Sequence, residues 1–189
     1  MQQIIPVSND ITLVKLKKHK KQATMMLGLF QENKEWLLPF FPGYYTQDLS
    51  LKNIQELLHQ KEKKFNQDES YSFGICSKQE RKIIGNISVE CFRTSGSLSY
   101  WIDNKFKNKG IISKSFDKLR EILFQNNFIF LQAECDSRNK KSISFLQHKG
   151  FNFEESFSLG NQHQFICMSQ SKTKYQAWKT FFQYQKEKE

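Results

Sequence analysis

The chain has little cysteine and little histidine, and neither residue is clustered. Four cysteines and four histidines are scattered over 189 residues, and no CxxC pair occurs. Scattered cysteines without a regular framework indicate reduced thiols, and the histidines show no spacing typical of a zinc site. We therefore expect neither a disulfide scaffold nor a metal centre.

The chain also lacks long apolar runs. No run reaches the 18 residues that a membrane-spanning helix needs, and the first ten residues lack the basic start and apolar block of a secretory signal. We expect a protein without a membrane partner, located in the cytoplasm. The length suits one domain with its own core.

The charge is strongly one-sided, with a formal net charge of +10. A nucleic-acid or acidic-protein partner is one explanation. Codon bias is the other, because lysine greatly outnumbers arginine while Phe, Ile and Asn are abundant. The basic residues are spread along the chain and form no block, so we do not expect nucleic acid as a partner.

Apolar spacing alternates between helical and strand-like periods. The pattern predicts helices over 17–31, 51–65, 112–125 and 139–149, and strands over 11–16, 71–77, 82–92, 98–102, 128–135, 151–157 and 164–169. Asp48 or Ser50 is predicted to cap the second helix, Gly150 to end the last helix, and Gly160-Asn161 to form the turn between the last two strands. This order is that of a mixed α+β sandwich with one βαβ crossover. Such a crossover beside an antiparallel meander leaves a splayed gap between two strands, where cofactors bind.

The segment after 171 is a separate feature. Aromatic residues recur at helical spacing over 173–184, which predicts a helical tail. A stripe of this kind is typical of a core contact or a homodimer contact.

A glycine-containing loop joins a predicted strand to a predicted helix. It reads Lys107-Asn108-Lys109-Gly110-Ile111-Ile112-Ser113 and follows Tyr100-Trp101-Ile102. Backbone N–H groups at a helix start, the helix dipole and flanking lysines together can hold a pyrophosphate. A plain solvated turn is the alternative interpretation.

Three segments together resemble the GCN5-related N-acetyltransferases, most closely the RimJ/RimL type. Lys109 and Gly110 match the family's cofactor loop, although Lys107 stands where Gln or Arg is usual and Ile112 where a small residue is usual. The segment 135–151 resembles the Asn-x-x-Ser helix and its Gly-Phe close, and 32–39 resembles the Glu-Asn-Arg-x-x-Leu…Pro stretch. The resemblance covers about residues 10–170. It implies one acetyltransferase domain over 1–189, with that core and a helical tail over 171–189.

The resemblance implies acetyl-CoA as co-substrate, with its pyrophosphate on the loop and its pantetheine arm paired with the backbone of Tyr100–Ile102. The cofactor-binding residues that it implies are Tyr100, Trp101, Ile102, Lys107, Asn108, Lys109, Gly110, Ile111, Ile112, Ser113, Asn139 and Ser142.

The resemblance also implies catalytic roles. A backbone N–H on the Trp101 strand would stabilise the oxyanion. Many relatives place a Tyr where this chain has Leu146. The subgroup instead uses a Ser that aligns with Ser142, so the resemblance implies Ser142 as the proton donor to the leaving thiolate. A first-turn serine bonded to the backbone is the alternative interpretation, and Asn139 is predicted to cap that helix.

The general base is less defined. Glu90 and Glu155 are the candidates, with Glu154 beside the second, and each could equally be a solvated surface carboxylate. Cys135 matches the subgroup, but a small buried strand residue is preferred over an acetyl-cysteine route.

The predicted function is acetyl transfer to a primary amine, either a protein N-terminus or a small amine. The aromatic turn over 36–45 could wall the acceptor entrance or belong to the core, which is preferred for Trp36, Leu37 and Phe40. Two alternatives remain: a basic RNA- or ribosome-binding protein, and a catalytically inactive acetyl-CoA-binding homologue.

Overall fold

The computed structural model describes residues 1–45, 48–159, 163–173 and 175. The predicted turn at Gly160-Asn161 and nearly all of the predicted tail helix lie outside these residues. Along the described chain the elements are β1 (Ile4–Pro6), β2 (Ile11–Lys15), α1 (Lys20–Glu32), α2 (Lys34–Leu37), α3 (Leu51–Asn66), β3 (Ser70–Ser77), β4 (Lys82–Phe92), β5 (Ser95–Ile102), α4 (Ile111–Gln125), β6 (Phe130–Asp136), α5 (Lys140–His148), β7 (Asn152–Leu159) and β8 (His163–Ser171). Two short 3₁₀ turns span Pro42–Tyr45 and Asn104–Phe106.

The strands hydrogen-bond in the order β1-β2-β3-β4-β5-β6-β8-β7. The pairs β1/β2, β2/β3, β3/β4, β6/β8 and β7/β8 are antiparallel, and β5 pairs with β6 in parallel. The parallel pair is connected through α4, as the crossover rule requires. The predicted mixed α+β class is confirmed.

Chain contacts divide the protein into two compact units. The first comprises residues 1–91 and 99–122, and the second comprises 92–98 and the chain from 123 onward. The single-domain assignment over 1–189 stays a prediction.

The core of the first unit lies where helices α1 and α3 pack, and both helices follow their predicted apolar stripes. The buried residues of α1 recur at helical spacing, as do Ile54, Leu58 and Phe65 in α3. The Ser50 hydroxyl accepts the Asn53 N–H at 3.2 Å and so caps α3, which confirms one of the two predicted caps. The buried cluster consists of Leu16, Ala23, Met26, Leu29, Phe30, Leu37, Ile54, Leu58, Ile83 and Trp101.

In the second unit, β6 buries alternate residues, namely Leu131, Ala133 and Cys135. The register pairs Ser95, Gly96 and Ser97 of β5 with Phe130, Leu131 and Gln132 of β6. Helix α5 buries Leu146, and the chain leaves it through Gly150, whose φ of +79° is the left-handed conformation predicted for a helix-ending glycine.

Two predicted element starts were wrong by three residues each, and one short strand was missed. The first helix begins at Lys20, not Lys17, because the His19 ring caps it by accepting the Lys21 N–H. The strand β5 begins at Ser95, not Leu98, because the hairpin turn falls at Arg93 (φ +56°) and pairing with β6 extends the strand. The strand β1 was missed, since three residues are too few to show a period.

None of the helices that the structure describes combines the length and the apolar character that a membrane crossing requires.

A close backbone contact between β4 and β5 supplies a stability test. A Cβ at Gly85 would lie 2.5 Å from the Trp101 carbonyl oxygen and 2.9 Å from the Ile102 Cα. We expect Gly85→Ala to lower the free energy of unfolding in urea by about 2 kcal/mol, because backbone must move. The matched control is Gly28→Ala in α1, where nothing lies within 4 Å. It should raise that free energy by about 0.5–1 kcal/mol. Equal effects at the two positions would contradict the contact.

Candidate functional site

The end of β5 presents its two aromatic side chains to opposite sides of the strand, as the pleat requires. The Tyr100 ring packs edge-on against Phe116 of α4, with centroids 5.8 Å apart. The Trp101 ring packs against Phe30 of α1 at 5.5 Å and Tyr44 at 6.5 Å. Together with buried Ile102, these contacts fix the strand that precedes the predicted cofactor loop.

The chain leaves β5 through a turn in which each backbone N–H has a partner. The Asp103 N–H donates to the Ile84 carbonyl at 2.8 Å, and the Asp103 carboxylate accepts the Lys105 N–H at 3.1 Å. The Asn104 N–H donates to Oδ1 of Asn33 at 3.0 Å. The turn is therefore held by β4, by its own carboxylate and by the end of α1.

The lysines around the loop lie over aromatic rings. Lys107 Nζ is 3.5 Å from the centroid of the Trp36 ring. Lys109 Nζ and Lys82 Nζ lie 5.0 Å and 5.8 Å from the Phe106 ring. Cation–π contacts hold these ammonium groups beside the loop, where they add positive charge to it.

The loop backbone alternates in handedness. Asn108 has φ of +62° and Gly110 has φ of +69°, whereas Lys109 between them is not among the residues with positive φ. Asparagine and glycine are the residues that tolerate this conformation. Where left-handed and right-handed residues alternate, successive N–H groups can point to one side, as in the backbone concavities that bind anions.

Helix α4 continues directly from this loop. Its first intrahelical bond runs from the Lys114 N–H to the Gly110 carbonyl at 3.0 Å. The N–H groups of Ile111 and Ile112 precede that bond, so helix geometry leaves them at the positive end of the helix dipole. The predicted residues Lys107 to Ser113 are thus brought together with Tyr100 to Ile102 in the first unit.

The second unit contains the other predicted segment, the turn from β6 into α5. Asp136 builds this turn, because its carboxylate accepts the backbone N–H and the guanidinium of Arg138. Asn139 then caps α5, with its Oδ1 accepting the Ser142 N–H at 3.1 Å. The capping role predicted for Asn139 is confirmed, and its cofactor contact stays a prediction.

Ser142 is also adjacent to Cys135. Burial raises the pKa of the Cys135 thiol, and a hydrogen bond with the Ser142 side chain acts against that rise. The hydroxyl is therefore placed where it can donate to a sulphur atom. The thiol stays protonated at neutral pH, which agrees with the preference for a structural Cys135 over an acetyl-cysteine route.

The two candidate bases have different surroundings. Glu90 lies on β4 opposite Ser70 of β3, and its carboxylate is 3.4 Å from Lys64 Nζ. Glu155 lies exposed on β7 opposite Cys167. Burial first, then the nearby carboxylates of Glu134, Glu155 and Glu154, raise the pKa of the Cys167 thiol.

The aromatic turn over 36–45 divides between core and surface. Leu37 is fully buried, as preferred, whereas Trp36 and Phe40 are only partly buried. The Tyr45 hydroxyl donates to the Phe30 carbonyl at 3.0 Å, and burial raises the pKa of Tyr45 to about 12. The turn is thereby attached to the last part of α1.

Sequence reasoning missed two residues that shape the loop. Asn33 was noted only as part of a motif, and Asp103 was not noted at all. The signal for Asp103 was available, because Asp before a short turn is a common cap. The Asn33 bond to Asn104 joins residues 71 apart, and local sequence contains no signal for it.

Among residues 1–45, 48–159, 163–173 and 175, no group of three or more His, Cys, Asp or Glu side chains is placed to hold a metal ion.

A family model described as "Acetyltransferase (GNAT) domain" matches residues 11–152 of the chain. The probable N-acetyltransferase YjcK of Bacillus subtilis (strain 168) is 28% identical over 137 residues, which cover 68% of this chain and 74% of that protein.

Solved structures share the fold at low sequence identity. The ribosomal-protein-S5-alanine acetyltransferase from Vibrio fischeri has a TM-score of 0.79 and 21% identity, over 90% of this chain and 97% of that chain. The microcin C7 self-immunity acetyltransferase MccE, in complex with acetyl-CoA and AMP, has a TM-score of 0.78 and 20% identity, over 90% and 97%.

The four free thiols supply a pH test of the site chemistry. Burial raises the pKa of Cys76 and of Cys91 to about 11, and it also raises those of Cys135 and Cys167. Since only the thiolate reacts, iodoacetamide at pH 7.5 should label each thiol more slowly than in the urea-unfolded chain, and labelling should accelerate as pH rises above 9. Peptide mass spectrometry measures the rate at each site. Labelling of Cys135 at pH 7.5 as fast as in the unfolded chain would indicate a thiolate and revive the acetyl-cysteine route.

Proposed function

Because the chain belongs to the GNAT acetyltransferase family, we propose that it transfers the acetyl group of acetyl-CoA to the N-terminal amine of a protein. An N-acetyltransferase activity follows from family membership. We further propose which residues contact the cofactor, which side chains are catalytic and which amine is the acceptor.

The observation that carries the proposal is the backbone of the loop before α4. Positive φ at Asn108 and Gly110, followed by the first turn of a helix, presents N–H groups to an anion. Lys107 and Lys109 add charge beside these groups. A diphosphate fits both the geometry and the charge, and acetyl-CoA contains one.

Acetyl-CoA supplies an acetyl group activated as a thioester. The amine nitrogen forms a bond to the carbonyl carbon, the carbon–sulphur bond breaks, and the thiolate needs a proton. We assign that proton to the Ser142 hydroxyl in the first turn of α5, at the position of the subgroup's serine. A backbone N–H of the Trp101 strand would stabilise charge on the carbonyl oxygen, which is typically worth about 3 kcal/mol per donor.

The acceptor amine must lose a proton before or during attack. Between the two candidates, Glu155 suits a base better. Glu90 forms an ion pair with Lys64, whereas no ion pair of Glu155 occurs among the described residues. We therefore propose Glu155 as the base and keep Glu90 as the alternative.

The acceptor assignment rests on the RimJ/RimL resemblance and on similar structures. One of these is named for acetylating the alanine of ribosomal protein S5, whereas MccE, which is equally similar, is named for self-immunity to a microcin. A panel decides between the acceptor classes: peptides with free Ser or Ala N-termini, the same peptides already N-acetylated, and spermidine. Mass spectrometry should find acetyl on the free N-termini alone. Acetylation of spermidine and of no peptide would contradict the protein acceptor.

Ser142 provides the catalytic test. We expect Ser142→Ala to lower kcat by about a hundredfold, the lower end of the range for general acid catalysis, while the affinity for acetyl-CoA is retained. The matched control is Ser144→Ala on the same helix, whose exposed hydroxyl lies near His148. The control should keep its kcat. Release of coenzyme A at saturating substrates measures both variants, and an unchanged kcat in Ser142→Ala would remove that residue from the mechanism.

The same assay separates the two carboxylates. Glu155→Gln should slow turnover at neutral pH, and Glu90→Gln should not. The reverse pattern would transfer the base role to Glu90.

A further inference from the structure

We propose that Asn33 is a positioning residue for the cofactor loop, through which the end of α1 sets the affinity for acetyl-CoA. This inference rests on the proposed function of residues 107–113. Asn33 acts without contacting the substrate. Its buried amide lies outside the loop and holds the loop in its binding geometry.

The Asn33 side chain is almost completely buried, with 2% of its surface exposed. Its Oδ1 accepts two hydrogen bonds, from Trp36 Nε1 at 2.7 Å and from the Asn104 backbone N–H at 3.0 Å. Its Nδ2 donates to the Leu29 carbonyl at 3.0 Å. Both lone pairs of the amide oxygen are thus used, and the group is anchored to the last turn of α1.

The two groups that donate hydrogen bonds to Asn33 both lie next to the proposed cofactor loop. Asn104 opens the turn that leads into the loop. Trp36 is the ring over which Lys107 Nζ lies at 3.5 Å. One amide oxygen therefore fixes both the backbone that enters the loop and the aromatic platform beneath the loop's first lysine.

Backbone hydrogen bonds connect Asn104 to the residues at the start of the loop. The Phe106 N–H donates to the Asp103 carbonyl at 2.9 Å and the Lys107 N–H to the Asn104 carbonyl at 3.3 Å, so backbone hydrogen bonds connect the turn from 103 to 107. Asn108 follows directly, with the positive φ that begins the anion-binding concavity. A shift of Asn104 would thus reorient the N–H groups of the loop.

A second tether to the same turn differs in burial. Lys105 Nζ pairs with Glu32 at 2.8 Å, but the two side chains are 67% and 52% exposed. The pairing lowers the pKa of Glu32 and raises that of Lys105. Exposed pairs contribute little. Loss of the buried Asn33 amide costs more, because it leaves two partly buried hydrogen-bond donors without an acceptor. Asn33 and Glu32 are adjacent, so they form a natural comparison.

The test is isothermal titration of acetyl-CoA into wild type and Asn33→Ala at low temperature, with thermal unfolding to confirm that each is folded. Asn33→Ala should raise Kd about tenfold, because the Asn104 N–H and the Trp36 ring lose their acceptor. The fraction of protein that binds acetyl-CoA should stay as in wild type. Unfolding of part of the sample would instead lower this fraction and leave the Kd of the folded protein unchanged. In steady state, the KM for acetyl-CoA should rise while kcat at saturating acetyl-CoA stays near the wild-type value.

Two variants serve as controls at the same corner. Glu32→Gln removes the exposed tether and should change Kd by less than about twofold. Trp36→Phe removes only the indole donor, keeps a ring face for Lys107, and should change Kd by less than about threefold. A Kd for Asn33→Ala within twofold of wild type, or an equal loss in Glu32→Gln, would overturn the inference.

Gly110→Val distinguishes failure of the inference from failure of the proposed function. It strains the loop itself at a positive φ and should abolish binding. If this variant binds as wild type does, the loop is not the cofactor site and the proposed function fails. If only Asn33→Ala binds as wild type does, the inference alone fails.

Should Asn33→Ala not fold, hydrogen exchange on the wild-type protein decides. Acetyl-CoA should slow amide exchange over 29–36 as well as over 104–113, since the two segments share the Asn33 bonds. Protection confined to 104–113 would overturn the inference.

Discussion

The hydrogen bond from the Asn104 N–H to the Asn33 amide fixes the point at which β5 passes into the loop. This bond is partly buried, and a backbone N–H withdrawn from water needs an acceptor. No sheet partner is available beyond the end of a strand, so a side chain from α1 supplies one. In the same part of α1, the Phe30 carbonyl accepts a hydrogen bond from the Tyr45 hydroxyl, and the Phe30 ring packs on Trp101. Strand end, aromatic turn and loop are thereby attached to one helix.

Apart from the general base, the chemistry proposed for the two units relies on backbone N–H groups, lysines and a hydroxyl. In the first unit the anion would be held by backbone N–H groups and by the lysines beside the loop. In the second unit the Cys135 thiol is kept protonated by burial, and the neighbouring hydroxyl of Ser142 is the polar group that remains for proton donation. Direct attack by the amine on the thioester agrees with these surroundings better than a covalent cysteine intermediate.

Sequence patterns predicted most of the fold because apolar spacing records burial. The apolar spacing of α1 and α3, the Ser50 cap and the left-handed Gly150 are local features, and each could be predicted from the sequence. The start of β5 could not be predicted, because Ser95 to Ser97 have turn-like composition and become a strand through pairing with Phe130 to Gln132. Tertiary pairing overrode local propensity there.

The candidate site divides in the same way. The loop was recognisable because Asn108 and Gly110 are residue types that accept positive φ, and Asn139 because it precedes a helix. The role of Asn33 could not be predicted, since its partner lies 71 residues away. The position of Lys107 over the Trp36 ring could not be predicted either, because it depends on how α2 packs beside the turn from 103 to 107.

The central claim is that this protein binds acetyl-CoA through its diphosphate and its acetyl-pantetheine arm. Isothermal titration of the wild-type protein with acetyl-CoA, and in parallel with coenzyme A and ATP, tests it most directly. The account predicts saturable one-to-one binding of acetyl-CoA that is tighter than binding of ATP, because ATP offers phosphates without the arm that we propose to pair with β5. Absence of acetyl-CoA binding at high micromolar concentration, or equal affinity for ATP, would contradict the account.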